Sequence, residues 1–384
     1  MLDYLGLEET LTEEERMARD TARAFADDVR EEIVECYRDG TFPVERIPEM
    51  GDLGFYAPNL PGYGLPGMSD RAYGVVMQEL EACDSGLRSM ASVQGALVIY
   101  PIHEFGSDEL RDRFLPDLAT GELVGCFGLT EPNHGSNPAG METTAIRDGD
   151  GYRLSGTKTW ITNATIADIA LVWARTDGGD GPVRGFIIET DRDGFETNRI
   201  DGKLSMRASV TGELQLDEVF VPRENVLEVT GMKGPLSCLT QARYGIAWGA
   251  VGAARDCFET ARAYALDRDQ FDGPIARFQL QQEKLAEMAT QISLSQLLAY
   301  RLAELKSAGD LRPQQVSMAK RNNVRMARET AKTAREMLGG NGITLDYSPM
   351  RHLANIETVY TYEGTHDIHT LILGHDLTDI AAFD

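Results

Sequence analysis

The chain has 384 residues, 42% of them hydrophobic, which is enough for a substantial core and, by length, for two or three structural units. Acidic residues outnumber basic ones by 61 to 37, giving a formal net charge of −24 that is spread along the chain. The chain has no basic stripe to neutralise phosphates, which argues against a nucleic-acid partner. It also has no apolar run near the roughly 18 to 20 residues needed to span a bilayer.

The cellular setting is predicted from the N-terminal stretch, the cysteines and the charge. MLDYLGLEETLTEEER lacks the basic and apolar regions of a signal peptide. The five cysteines are odd in number, scattered and without metal-ligand spacing, which indicates a reduced, cytoplasmic protein. Only seven basic residues are Lys, and so large a net charge is best tolerated where salt of about 1 M screens charges beyond about 3 Å. We therefore expect a halophilic protein, with an ordinary acidic enzyme as the alternative.

The first third of the chain has helical patterns. From 12 to 37 apolar residues recur at three to five residues after a capping box formed by Thr12 and Glu15. Further helices are expected at about 71–82, 87–105 and 108–119. Residues 1–124 are therefore predicted to form an N-terminal helical domain.

The pattern changes near Gly121. Short runs rich in Val, Ile, Thr and Phe, separated by turn clusters such as DGDG and DGGDG, predict an antiparallel β domain over 125–230. The helical period then returns at about 239–266, 275–307 and 313–338, and the last stretch stops at the glycine-rich GGNG. Residues 231–384 are predicted to form a C-terminal helical domain, so the expected fold class is α+β.

The stretch TYEGTHDIH, residues 361–369, contains five groups that bind a metal or transfer a proton: Tyr362, Glu363, His366, Asp367 and His369. The two histidines are three residues apart, which places them on one face of a helix. A metal site, a catalytic base and an ordinary helix start with Thr365 as N-cap all agree with this spacing. The local residues alone leave the three open.

Five stretches together resemble one family. They are CFGLTEPNHGSNP (126–138), GTKTWITNA (156–164), ALDRDQF (265–271), MLGGNGI (337–343) and YEGTHDIH (362–369). Their order and spacing resemble those of the acyl-CoA dehydrogenases over nearly the whole chain. With LRSMASVQ (87–94), the chain is most similar to the glutaryl-CoA dehydrogenases of that family. The resemblance implies the acyl-CoA dehydrogenase-like fold: a helical domain, a β domain and a C-terminal helical bundle.

The resemblance also implies an FAD-dependent oxidoreductase that acts on a CH–CH bond. Glu363 is then the base that removes the α-proton of an acyl thioester, while FAD accepts a hydride from the β-carbon. The backbone N–H of Gly364 and the ribityl chain of FAD are expected to donate to the thioester oxygen. No metal ligand is predicted. The alternatives are a metal-dependent hydrolase built on the histidine pair and a non-catalytic flavin- or CoA-binding module.

The resemblance assigns flavin contacts to two parts of the chain. Those of the β domain are Phe127, Gly128, Leu129, Thr130, Ser136, Trp160, Ile161 and Thr162. Those of the C-terminal domain are Arg268, Phe271, Gln279, Glu336, Gly339, Gly340, Thr365 and Asp367. Because helices of a neighbouring subunit contact the cofactor in this family, a homo-oligomer, usually a tetramer, is expected. Asn137 and His134 depart from the family, which usually has Asp and a small residue there.

Arg88 is the residue that indicates which acyl-CoA is oxidised. It lies near the start of an apolar helical stretch, and charged groups are seldom buried without partners. Members of the family that act on dicarboxylyl substrates have an Arg here, which holds the distal carboxylate. The other expected substrate contacts are Glu81, Ser89, Ser92, Ser136, Arg243, Tyr362 and Gly364. The predicted reaction converts glutaryl-CoA to crotonyl-CoA, with electron-transfer flavoprotein as acceptor; the alternative is a butyryl-type short-chain enzyme without decarboxylation.

Overall fold

The computed structural model describes residues 3–382, and its first part is helical. The helices are α1 (Glu13–Asp28), α2 (Arg30–Asp39), α3 (Ile47–Asp52), α4 (Asp70–Cys83), α5 (Ser85–Ser92), α6 (Tyr100–Phe105) and α7 (Asp108–Thr120). Two short strands, β1 (Pro61–Gly62) and β2 (Leu65–Pro66), pair between α3 and α4. The capping box of Thr12 and Glu15 is present at the start of α1, as predicted.

Two stretches that were predicted to be single helices are interrupted. The 12–37 stretch is divided at Val29 into α1 and α2. The 87–105 stretch is divided into α5, a buried π-helical segment over Val93–Ile99, and α6. Within that segment Gln94 donates to the carbonyls of Leu118 and Leu123 and accepts from the N–H of Gly125. The Gln94 side chain therefore connects the π-helical segment and the end of α7 to the first strand of the β domain.

The β domain contains eight strands. They are β3 (Gly125–Gly128), β4 (Thr144–Asp148), β5 (Gly151–Thr162), β6 (Ile169–Thr176), β7 (Val183–Glu189), β8 (Phe195–Arg199), β9 (Thr211–Pro222) and β10 (Val226–Thr230). Their order is β10-β7-β6-β4-β5-β9-β8, with β3 beside β6. Most pairings are antiparallel, as predicted, but β3 and β4 pair with β6 in parallel. The β4–β5 hairpin lies between β3 and β6 in the chain and supplies the crossover that a parallel pair requires.

Five helices follow the sheet: α8 (Lys233–Asp267), α9 (Gln279–Ser307), α10 (Pro313–Met337), α11 (Ser348–Thr361) and α12 (His366–Thr378). Helix α8 lies very close to α4: a Cβ placed on Gly252 would be 1.9 Å from the carbonyl oxygen of Gln78, so that contact requires glycine. A Cβ placed on Gly249 would be 1.9 Å from Oε2 of Glu81, which places the Glu81 carboxylate against α8. Over the described residues, no helix is both long and apolar enough to cross a membrane.

Candidate active site

Glu363 lies in the tight turn between α11, which ends at Thr361, and α12, which begins at His366. Its φ is 52° and that of Gly364 is 93°, so both residues are in the left-handed region. A Cβ on Gly364 would lie 2.9 Å from Nε2 of His369 and 3.1 Å from Nη2 of Arg243. Glycine is therefore required there for conformation and for space, whereas Glu363 holds a conformation that costs a non-glycine residue about 1–3 kcal/mol.

Two buried cations hold the backbone of this turn. Nζ of Lys320, on α10, donates to the carbonyl of Tyr362 at 2.8 Å and to that of Gly364 at 2.7 Å. Nε of Arg243, on α8, donates to the carbonyl of Glu363 at 2.6 Å. Three consecutive carbonyls thus accept hydrogen bonds from charged donors, which are stronger than neutral ones. These bonds offset the cost of the left-handed turn.

The Glu363 side chain is half-buried, but its Oε2 atom is fully buried and has no hydrogen-bond partner among the described residues. Burial raises the pKa of Glu363, and the positive charges of Arg88, Arg243 and Lys320 oppose that rise. Desolvation is the larger effect, so the carboxylate is a stronger base than a solvated one. An unpaired carboxylate oxygen of raised basicity is what proton abstraction requires.

Arg88, on α5, is completely buried and uses two of its three nitrogens in contacts within the chain. Nε donates to Oε2 of Glu81 at 2.7 Å, and Nη2 donates to the hydroxyl of Tyr362. Nη1 is buried and has no partner among residues 3–382. Arg88 and Glu81 meet across a break between two helices, because Asp84 ends α4 and caps α5 through the N–H of Gly86.

Two hydroxyl groups lie beside Arg88. Ser92, one turn further along α5, and Tyr73, on α4, are buried, and neither side-chain oxygen makes a well-formed hydrogen bond to a described residue. Burial raises the pKa of Tyr73, while Ser92 and Arg88 lower it and the charge of Glu363 raises it further. The Tyr73 hydroxyl therefore lies within electrostatic range of the base. The predicted contact Ser89 is also buried.

The β domain presents an exposed aromatic at a strained position. Trp160 of β5 is 62% exposed with φ of 60°, where the register between β5 and β9 shifts from Lys158 to Ile161. A β-bulge re-aims a side chain in this way, and positive φ is rare for bulky residues. Beside it, the N–H of Thr159 donates to the carbonyl of Thr130 at 2.9 Å. The strand thus brings the predicted flavin residues at 127–130 next to those at 160–162, and a flat apolar wall flanked by threonine hydroxyls fits an isoalloxazine ring.

Beneath this wall lies a buried ion pair. Nζ of Lys158 is 2.8 Å from Oε1 of Glu131 and also donates to the carbonyl of Leu129 at 3.2 Å. The Glu131 carboxylate accepts from the N–H groups of Glu142 and Thr143 and from the Thr143 hydroxyl. Burial lowers the pKa of Lys158 to about 8. The pair fixes the loop after β3 against β5.

Comparison with known proteins decides the family. The acyl-CoA dehydrogenase N-terminal, middle and C-terminal domains match residues 12–122, 126–219 and 230–378. The chain belongs to the acyl-CoA dehydrogenase family. Members of this family are FAD-dependent oxidoreductases, so the predicted fold class, enzyme class and FAD cofactor are confirmed.

Similar proteins include both glutaryl and short-chain enzymes. The glutaryl-CoA dehydrogenase of Desulfococcus multivorans is 36% identical, with 87% of this chain and 88% of the relative covered. The short-chain specific acyl-CoA dehydrogenase of Clostridium acetobutylicum is 33% identical over 94% and 97%. A crystal structure of glutaryl-CoA dehydrogenase from Mycobacterium smegmatis is 53% identical over 99% and 98%, with a TM-score of 0.96. Another from that organism, in complex with FADH2, is 48% identical over 100% and 99%, with a TM-score of 0.97.

The remaining predicted flavin contacts of this acyl-CoA dehydrogenase family member lie on the surface of its C-terminal domain. Arg268, Phe271, Gln279, Glu336, Gly339 and Gly340 are all exposed. Their segments are adjacent, since Asn341 donates to the hydroxyl of Tyr264 at 3.1 Å and Lys284 lies 3.6 Å from Glu336. They form one exposed group on the C-terminal domain. Ser136, Asn137 and His134 lie in the loop after β3, where the first two are exposed.

The residues after Glu363 have mainly structural contacts. Thr365 is the N-cap of α12 and accepts from the N–H of Ile368 at 3.1 Å, and Asp367 lies in the first turn. His366 stacks on Tyr360, while His369 is buried with a pKa lowered by burial to about 2 and so is neutral. Among the described residues, no three His, Cys, Asp or Glu side chains are grouped to hold a metal.

Four features of the site were not predicted from the sequence: Lys320, Tyr73, Gln94 and the pair of Lys158 with Glu131. One signal was available: of the seven lysines, Lys158 and Lys320 are almost completely buried, in a chain that otherwise uses Arg for most of its positive charge. A compact ammonium suits a small pocket of carbonyls better than a planar guanidinium does. A lysine in a chain that otherwise uses Arg is therefore a candidate for a buried role.

Proposed function

We propose that this protein is a glutaryl-CoA dehydrogenase that oxidises the Cα–Cβ bond of glutaryl-CoA and decarboxylates the product to crotonyl-CoA. Glu363 is the base, and Arg88 with Ser92 receives the distal carboxylate. Trp160, Thr130 and Thr162 would hold FAD, which would supply the hydride acceptor. The proposal goes beyond the family assignment in its substrate and in the loss of CO2.

The net charge of the pocket is the main support for glutaryl-CoA as the substrate. Three cations, Arg88, Arg243 and Lys320, act on Glu363 together with one other carboxylate, that of Glu81. Two arginines and a lysine that is partly protonated near neutral pH, because its pKa is lowered to about 7, face two carboxylates. They leave a buried excess of positive charge, which an apolar acyl chain does not compensate. A second carboxylate on the substrate does, and the Nη1 of Arg88 has no partner within the described chain. Hydrogen bonding to a guanidinium favours a carboxylate over a methyl group.

The residues support each step of the reaction. The Oε2 atom of Glu363 takes the α-proton, and the hydride leaves from the β-carbon, so the acyl chain loses two electrons and two hydrogens. The product, glutaconyl-CoA, loses its γ-carboxylate as CO2, because the electron pair left behind delocalises into the thioester. The proton now held by Glu363 is available to the resulting carbanion, which gives crotonyl-CoA and restores the base.

A short-chain enzyme that oxidises butyryl-CoA without decarboxylation is the second candidate. Its support is the contact between Arg88 and Glu81, because a guanidinium already paired with a carboxylate attracts a second one less strongly. The short-chain relative is also almost as similar to the chain as the glutaryl relative from Desulfococcus multivorans. Nη1 of Arg88, which has no partner among the described residues, favours the diacid over the plain acyl chain.

The test is anaerobic reduction of the purified flavoprotein by glutaryl-CoA and, separately, by butyryl-CoA. We expect glutaryl-CoA to bleach the flavin at the higher kcat/KM and to release one CO2 for each crotonyl-CoA. Bleaching by glutaryl-CoA without CO2 would restrict the proposal to dehydrogenation. A higher kcat/KM for butyryl-CoA would establish the short-chain alternative.

We also propose a homotetramer, an electron-transfer flavoprotein as acceptor and a cytoplasm rich in salt. The oligomer is supported by apolar side chains exposed beside the C-terminal flavin residues: Phe271 is 84% exposed, Leu280 71% and Ile343 66%. Their burial against a second copy would complete each flavin site. Native mass spectrometry at about 1 M ammonium acetate, where charges are screened as in a salt-rich cytoplasm, should give four chains and four FAD; a monomer that retains FAD would contradict this.

A further inference from the structure

Lys320 is the buried cation that takes no part in the steps of the proposed reaction. It is 1% exposed on α10, and both of its hydrogen-bond acceptors are carbonyls of the turn that bears Glu363. A buried ammonium is costly, and burial is the main reason that the pKa of Lys320 is lowered to about 7. A neutral residue able to fill the same space would avoid that cost. The positive charge therefore calls for a function.

We propose that Lys320 is a positioning residue that holds the left-handed turn at Glu363 and places a positive charge beside that residue. The inference rests on the proposed role of Glu363 as base and deepens it. Lys320 contacts the carbonyls before and after Glu363, so the two bonds span the residue whose backbone is strained. Without them the turn can relax and carry the carboxylate away from the substrate.

The electrostatic part follows from the balance of charges at the base. Burial raises the pKa of Glu363, and a base that stayed protonated at neutral pH would be inactive. Lys320 is one of the three cations that oppose this rise. The groups that face Glu363 come from every element packed on the turn: Tyr73 and Glu81 of α4, Arg88 of α5, Arg243 of α8, Lys320 of α10, Tyr362 of the turn and His369 of α12.

The other two cations differ from Lys320 in their contacts. Arg88 is paired with Glu81, and in the proposed reaction it also meets the substrate. Arg243 makes one bond to the turn, to the carbonyl of Glu363, and its Nη2 also lies beside the space at Gly364. His369 supplies no charge, since burial and the neighbouring cations keep it neutral. Lys320 makes its hydrogen bonds on the backbone side of the turn, so it supports the base without meeting the acyl chain.

The test measures proton abstraction directly. Flavoprotein variants are mixed anaerobically with butyryl-CoA or glutaryl-CoA in D2O, and deuterium incorporation at the α-carbon is followed against pH, together with kcat and KM for flavin reduction. Lys320→Met should move the acidic limb of the exchange profile up by about one pH unit, because an opposing positive charge is lost. Its limiting rate should fall roughly tenfold or more from misplacement of the carboxylate, with KM little changed.

Two variants separate charge from packing. Lys320→Arg keeps the positive charge, so its acidic limb should remain at the wild-type pH even if its rate falls. Lys203→Met is the matched control: Nζ of Lys203 also donates to buried carbonyls, of Met206 and Ser209, and its pKa is lowered to about 8, but Glu363 is not among the charges that act on it. That variant can lose stability but should leave the acidic limb in place.

An unmoved limb in folded Lys320→Met, or an equal shift in Lys203→Met, would overturn the inference. If Lys320→Met does not fold, Lys320→Gln replaces it, because its side chain is neutral but still donates a hydrogen bond. A raised acidic limb in that variant supports the inference, and an unmoved one overturns it. A wild type that prefers butyryl-CoA would overturn the glutaryl proposal and leave the Lys320 test intact. A wild type that exchanges no α-proton with either thioester would overturn both.

Discussion

Replacing Arg88 by Met tests the substrate assignment, but this single substitution also disrupts a buried ion pair. Arg88 and Glu81 are both completely buried and lie 2.7 Å apart, so the variant leaves the Glu81 carboxylate buried without its cation. Breaking a buried pair from one side costs about 3–5 kcal/mol. A general loss of activity in Arg88→Met would therefore report folding as well as binding.

The double variant Glu81→Gln/Arg88→Met removes both charges and is the informative protein. The hydroxyl of Ser85 donates to the Glu81 carboxylate at 2.8 Å, and the amide oxygen that the substitution introduces can accept the same bond. We expect the double variant to be more stable than Arg88→Met, since no isolated charge remains. Its thermal unfolding midpoint, compared with those of wild type and both single variants, measures this coupling.

The magnitude follows from the substrate carboxylate. A diacid bound without the guanidinium has one buried charge unpaired, at a cost of about 2–5 kcal/mol. That is roughly 30-fold to several thousandfold in kcat/KM for glutaryl-CoA. Butyryl-CoA has no second carboxylate, so its kcat/KM should hold or rise when the guanidinium is replaced by an apolar chain. Arg88→Lys keeps the positive charge but not the planar, bidentate donor of the guanidinium. Its kcat/KM for glutaryl-CoA should therefore lie between those of wild type and the double variant.

The decisive measurement is the ratio of kcat/KM for glutaryl-CoA to that for butyryl-CoA in the folded double variant. A ratio at least roughly tenfold below that of wild type supports Arg88 as the carboxylate site. If both substrates lose activity equally in a protein that is folded and contains flavin, Arg88 with Glu81 serves only to hold Tyr362 beside the base. The reasoning from the unpartnered nitrogen would then be refuted.

Three further predictions concern the base, the flavin loop and the charge. Glu363→Gln should fold and keep FAD but reduce it roughly 100- to 10,000-fold more slowly with an acyl-CoA, as for loss of a general base; a wild-type rate would place the base elsewhere. Lys158→Met should lower stability by about 3–5 kcal/mol and release FAD, because Glu131 loses its cation; unchanged melting and flavin content would contradict this. Raising KCl from low to molar levels should raise the melting temperature and flavin retention, given the net charge of −24, whereas a flat response would favour an ordinary acidic enzyme.

The order of helical, β and helical segments could be predicted from local patterns. Apolar periodicity, the Thr12 capping box and the glycine-rich stop after α10 depend on neighbours within a few residues. The break at Val29 could not, because the residues of the 12–37 stretch are compatible with a continuous helix. The 87–105 stretch does contain a local signal, since Pro101 has no N–H to donate within a helix and lies at the start of α6, but the π-helical form of the segment before it was not predicted.

The candidate base, the arginine and the flavin strand were also found in the sequence, through motifs whose spacing resembles one family. The side chains and charges that surround these residues were not predicted from the sequence. Lys320 lies 43 positions before Glu363, and no local pattern indicates that its ammonium bonds to the carbonyls on either side of that base. Tyr73 was likewise indistinguishable from a core aromatic in an apolar helix.

The sequence by itself determined which residues could do chemistry, since that depends on side-chain type and on motif order. The tertiary structure decided their charge states and partners. Burial raises the pKa of Glu363, and three cations from α5, α8 and α10 oppose that rise across large separations in the chain. Desolvation and Coulomb interaction depend on distance in space, so only the packing of these helices on one turn sets the basicity of Glu363 and leaves one nitrogen of Arg88 without a partner among the described residues.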